Sequence, residues 1–92
     1  MSGVNEALEA IRSLEATLNG YMEYDGMVGG LVSRSIRTLV EMRVLLGNPT
    51  KANVQEALNK FQGIYDRVSP YAGEAPDVVG KANLVMEKLR AI

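Results

Sequence analysis

Carboxylates and guanidinium groups are the side chains with chemistry to offer in this sequence, because it contains neither histidine nor cysteine. The commonest general base, the commonest metal ligand and the commonest thiol nucleophile are therefore absent together. Two pairs of acids lie close in sequence, Glu23 with Asp25 and Glu74 with Asp77. Paired carboxylates do acid/base work when burial forces their protonation apart. Both pairs fall in segments that read as loops, where water keeps each acid ionised, so they are expected to be ordinary surface acids. Glu15 borders an apolar helix stripe and reads as a solvated flank. The Glu-x-x-His half of a di-iron bundle cannot be built here, so neither a metal site nor a cofactor is expected. Residues 26–30, GMVGG, lack the Lys-Ser/Thr ending and the preceding strand of a phosphate loop. Gly29-Gly30 ahead of a helix could present amides to an anion, but the simpler reading is that they free the chain to turn. Arg34 and Arg37 share a helix face, one turn apart, and are the candidate contacts for phosphate or for a partner's carboxylates. The plainer alternative is a solvated face balanced by Glu41, four residues after Arg37. Enzymatic activity is not expected, and no small-molecule substrate is evident.

Charge and composition narrow the field further. Ten Lys and Arg nearly cancel eleven Asp and Glu, for a net charge of -1. A nucleic-acid coat shows a basic excess or stripe, so direct nucleic-acid binding through Arg34 and Arg37, with Lys51, Lys60 and Arg67, is a secondary reading. An apolar content of 47% suits a globular domain. No apolar run approaches the roughly 20 residues that span a bilayer, and MSGVNEALEA has neither the basic start nor the apolar run of a signal peptide. The expectation is one domain, cytoplasmic and away from membranes. Without disulfides, its core comes from packing alone or is completed by a second copy.

The elements that must position these residues are helices. Apolar residues recur at three- and four-residue steps in four segments, about 4–19, 28–46, 51–68 and 76–91. The first stripe is Val4, Ala7, Leu8, Ile11, Leu14 and Leu18, capped by Ser2 or Asn5 and stopped at Asn19-Gly20 through a positive φ. The second is Val28, Leu31, Val32, Leu39, Met42 and Leu46, with Ser35 inside it. Val40, Val44 and Leu45 fall outside that stripe, so this helix is either central or carries a second contact surface. Gly47-Asn48-Pro49 breaks the chain, and the third helix starts at Thr50 or at Asn53, where Asn53 and Glu56 match a capping box. Its stripe is Val54, Ala57, Leu58, Phe61, Ile64, Tyr65 and Val68. Gly63 on its outer face is read as permitting close approach of another backbone. Ser69-Pro70 ends it. Pro76 and Asp77 open the fourth helix, with Val78, Val79, Ala82, Val85, Met86, Leu89 and Ile92 on one face and Leu84 off it. No segment reads as a strand. The fold class is all-α, a small antiparallel four-helix bundle with sequential neighbours.

The second half also carries a resemblance. The run LLGNPTKANVQEALNKF, then IYDRVS, a Pro-bearing joint and KANLVMEKLRAI resembles, over about residues 45–92, a family of small archaeal helical proteins. In that family a DP-type turn leads to a helix ending near an Asp/Glu-x-x-Ser segment. A Met-Pro-type loop and a short helix closing on Leu-x-x-Ile follow. Here Asn48-Pro49, Asp66 to Ser69, Ala75-Pro76 and Leu89 to Ile92 occupy those places. Members are small subunits that bind the archaeal replicative B-family DNA polymerase, so the resemblance implies a non-catalytic accessory subunit of a polymerase holoenzyme. The first half departs from the pattern. The family has a short proline-containing loop followed by basic residues before its second helix. This chain has the longer, proline-free GYMEYDGMVGG, followed by Ser33-Arg34 and Arg37.

Apolar residues left off the core stripes are candidates for a partner surface, whether a protein partner or a second copy. They are Tyr24, Met27, Val40, Val44, Leu45 and Leu84. Tyr and Met offer large, adaptable contact area. Tyr21 and Met22, by contrast, lie three and four residues after Leu18 and are expected to continue the first helix's core face.

Overall fold

The computed structural model describes residues 3–22 and 27–92, with backbone only for 27–29. Four α-helices follow one another: α1 (Val4–Asn19), α2 (Met27–Leu46), α3 (Lys51–Val68) and α4 (Pro76–Arg90), with a single 3-10 turn at Ser69–Tyr71 before α4. No strand occurs among the described residues. The all-α bundle expected from the apolar periodicity is therefore the observed architecture. The helices form a ring in which each packs on the next and α4 returns to α1, while among the described residues the backbones of the diagonal pairs α1/α3 and α2/α4 do not come close.

Cross-links between α1 and α4 establish the direction of packing. Lys88 Nζ donates to Glu6 Oε2 at 3.4 Å, Lys81 Nζ to Ser13 Oγ at 2.8 Å, and Tyr21 Oη to Asp77 Oδ1 at 2.9 Å. Residue numbers rise along one helix as they fall along the other, so the pair is antiparallel. The core is a single cluster to which all four helices contribute, with Ile11, Leu14, Leu39, Met42, Leu46, Phe61, Ile64 and Leu89 essentially sealed from solvent. Each such side chain contributes about 1.5–3 kcal/mol on burial. These are stripe positions, because a 3.6-residue period returns a side chain to the same face every three or four residues.

The helix ends are made by local chemistry that differs in places from the expectation. The N-cap of α3 is Thr50, whose side chain accepts from the Asn53 amide at 3.1 Å. Asn53 is not the cap. It lies inside the first turn, and its Nδ2 donates back to the Asn48 carbonyl at 2.9 Å. Gly3 caps α1 through its own backbone at φ 95, without a side-chain bond, so Asn5 is a helical residue and Ser2 lies outside the described part. Gly20 has φ -64 and stays right-handed, its amide bonding to Leu18 and Thr17 carbonyls. The helix thus tightens into a last turn rather than stopping on a positive φ. That continuation carries Tyr21 against the core but leaves Met22 47% exposed. A Cβ placed on Gly63 would meet nothing within 4 Å, so no backbone among the described residues approaches there. Ile92 packs against the core. No helix among the described residues is long and apolar enough to cross a membrane.

Candidate functional site

The core stripe of α2 turns Val32, Ser35, Leu39, Met42 and Leu46 inward. The same period places Ser33, Arg37, Val40 and Val44 together on the opposite side, all exposed. Val40 is 41% and Val44 74% exposed. Met22, at the end of α1, extends this strip, its sulfur accepting from Ser33 Oγ at 3.7 Å. From Ser33 to Val44 the strip runs about 16 Å along the helix. Its flank is charged. Glu41 Oε2 accepts from Lys60 Nζ of α3 at 3.0 Å, and this hydrogen bond, followed by the carboxylate's charge, holds the Lys60 ammonium above its ordinary pKa. Glu41 is therefore paired across the helix interface, in place of the anticipated pairing with Arg37 one turn back. A mixed strip of exposed apolar side chains with an arginine among them, bordered by charge, has the composition of a protein contact surface.

The remaining candidate residues lie elsewhere. Leu45 is half-buried against the core, because α2 packs on both α1 and α3 and its last turns are covered on more than one side. Leu84 is 41% exposed but sits on α4, diagonally across from α2, so it cannot share the Val40–Val44 strip. Arg34 Nε donates to the Gly30 carbonyl at 3.4 Å, which draws its guanidinium along its own helix, while Arg37 lies within the strip. Tyr24, Met27, Glu23 and Asp25 fall outside the residues whose side chains are described.

The acids are ordinary in their surroundings, with one exception. Glu15 is not a solvated flank: its side chain is 14% exposed, and its Oε1 accepts from Arg43 Nε at 2.8 Å. Asp77 accepts the Tyr21 hydroxyl, and Glu74 is exposed. Among the described residues no group of three or more acids converges as a metal cage would.

A second feature lies near the end of the bundle where α1 finishes and α4 begins. A pocket of about 450 Å³ is walled by Leu18, Leu31, Val68 and Val78, with Tyr71 and Glu74 among its lining residues. Ser35 also lines it, is fully buried, and its Oγ has no hydrogen-bond partner among the described residues. Five separate elements contribute to this wall, so no single window of sequence announces it. The one local signal is a lone hydroxyl set inside an otherwise apolar stripe. Family models, curated proteins and solved structures yield no match to this chain.

Proposed function

We propose that the chain is a non-catalytic, cytoplasmic helical module that binds another protein along the strip formed by Met22, Ser33, Arg37, Val40 and Val44. The observation that carries this reading is the exposure of Val40 and Val44 on one line of α2, on the face turned away from the core. Isolated exposed apolar residues are normal on a monomer. Val40 and Val44 on one side of α2, continued by Met22 through its contact with Ser33 and bordered by charges, make a more specific surface. The resemblance over residues 45–92 supports a DNA polymerase subunit as the first partner to test, with this chain as its accessory subunit. A second copy of the chain is the other occupant that the same strip would accept.

The test is affinity purification from the native organism with the wild-type chain and with Val44→Glu, alongside light scattering of each purified protein. Val44 is 74% exposed, so the substitution leaves helicity and melting temperature nearly unchanged. The expected result is a partner recovered by the wild type and lost with Val44→Glu, or a dimer that the same change dissociates. A strict monomer that recovers no partner refutes the proposal. A salt-dependent gel shift abolished by replacing Arg34 and Arg37 would instead place function on nucleic acid.

A further inference from the structure

We propose that the pocket between Leu18, Ser35, Val68 and Val78 is a binding site for a small, neutral, largely apolar molecule carrying one hydrogen-bonding group. The site is independent of the α2 strip. Its volume, about 450 Å³, falls within the roughly 300–1,000 Å³ of small-molecule sites. Its walls are mostly aliphatic, with the Tyr21 and Tyr71 rings among them, which selects an apolar body.

The polar requirement comes from Ser35. A buried hydroxyl is normally bonded, and in helices serine and threonine commonly bond back to the carbonyl four residues earlier. Thr17 and Thr38 do so here, at 3.0 Å to the Ser13 and Arg34 carbonyls. Ser35 does not, although it is fully enclosed. It is the one buried side-chain polar atom without a partner among the described residues, and it lies on the pocket wall. A ligand group that donates to or accepts from this hydroxyl would satisfy it. Ser35 is fully enclosed, so a ligand reaches its hydroxyl only by displacing a lining side chain, for which half-buried Leu31, one turn earlier on the same wall, is the nearest along α2.

Charge at the mouth excludes the obvious alternative of a fatty-acid anion. Glu74 lines the pocket, and Asp77 stands beside it through its bond with Tyr21. These carboxylates, Glu74 on the wall and Asp77 bonded to the lining Tyr21, repel an anionic head group and leave a neutral alcohol, phenol or arylamine as the fitting class.

N-phenyl-1-naphthylamine, a neutral fluorophore with a single N–H donor, is a suitable probe for the purified full chain. The expected result is a saturable fluorescence rise in the micromolar range. Ala75→Phe, which places a ring in the pocket wall, weakens it at least about tenfold, and Ser35→Ala weakens it about three- to tenfold. Competition by 1-octanol is expected to be at least about tenfold stronger than competition by octanoate. Circular dichroism verifies the fold of each variant, and the Ser35→Ala comparison stands if Ala75→Phe does not fold. Absence of saturable binding overturns the proposal, as does equal binding by Ala75→Phe in folded form. Unchanged affinity in Ser35→Ala overturns the role of the hydroxyl, and equal competition by octanoate overturns the selection for neutral ligands.

Discussion

Replacing Ser35 by alanine should make the free protein more stable. Ser35 is fully buried in the middle of α2, and its hydroxyl has no partner among the described residues. An unsatisfied buried polar group costs about 1–3 kcal/mol, because the hydroxyl gives up its bonds to water and receives none in return. Alanine is also the better helix former, by up to about 0.7 kcal/mol. Against this stands the small void left by removing one oxygen atom. The net expectation is a gain of about 1–2 kcal/mol. For a domain of this size 1 kcal/mol moves the melting temperature by about 4–8 °C, so a rise of roughly 4–16 °C is expected. Thermal and urea unfolding followed by circular dichroism at the helical band measure it, and an unchanged m-value shows that the compactness of both states is preserved. Thr38→Ala is the control. That hydroxyl, three residues along the same helix, bonds to the Arg34 carbonyl at 3.0 Å, so its loss removes a made bond while improving propensity, and the two nearly cancel. A neutral or destabilised Ser35→Ala would refute the reasoning, since it would mean that the hydroxyl is satisfied in solution. A stabilised Ser35→Ala that also loses the fluorescent probe would mark Ser35 as retained for binding at the expense of stability.

Other perturbations follow from the helix ends and interfaces. Thr50→Ala removes the side-chain cap of α3 and should lower stability by about 1 kcal/mol in urea titration, whereas Asn53→Ala should cost less because Asn53 is not the cap. Gly63→Ala places a methyl where nothing lies within 4 Å and should raise stability by about 0.5–1 kcal/mol in the same assay; a loss would mean that a neighbour occupies that face in solution. Lys60 is held above its ordinary pKa by its bond to Glu41, so the pair's contribution is fully present below the unfolded lysine pKa and is lost as pH rises through the folded one. The stability difference between wild type and Glu41→Gln should accordingly stay level from about pH 7 to about pH 10 and shrink only above the ordinary lysine pKa of about 10.4, and a difference that grows with pH would contradict the pairing.

Most of the fold was legible because helical burial is periodic. Val4, Ala7, Ile11, Leu14 and Leu18 sit on one face by spacing alone, and the same holds for Ala57, Phe61, Ile64 and Val68. What local pattern could not resolve was competition among neighbours. Thr50 and Asn53 both have capping side chains, and only the path of the chain through Asn48-Pro49 decides between them. Glu41 had Arg37 one turn back, yet Lys60 of α3 takes it, because helix packing brings the ammonium to 3.0 Å. Glu15 reads as a flank until Arg43 arrives from α2. Leu31 belongs to the stripe but stays half-buried, since it borders a pocket instead of facing a packed helix. For the surface, Val40, Val44 and Leu84 were marked by falling off their stripes, whereas their division between opposite sides of the ring required knowing that α2 and α4 never meet. The pocket was hidden for a related reason: Leu18, Ser35, Val68 and Val78 come from four different helices.

The bonds joining α1 to α4 have a kinetic meaning. Lys88 reaches Glu6 across 82 positions of sequence, so the α1–α4 interface closes a loop of nearly the whole chain. It is also a more extensive interface than the one between α3 and α4. Long loops close slowly, and folding rate falls as contacts become less local. Gly3 lies against Ala91 and Ile92, so a short linker can join these ends while a new break is opened at exposed Gly73. In that circular permutant α4 and α1 become a consecutive hairpin, and the largest long-range interface becomes a local one. The same bundle would then be reached over a lower entropic barrier, its contacts unchanged and only their order along the chain rewritten.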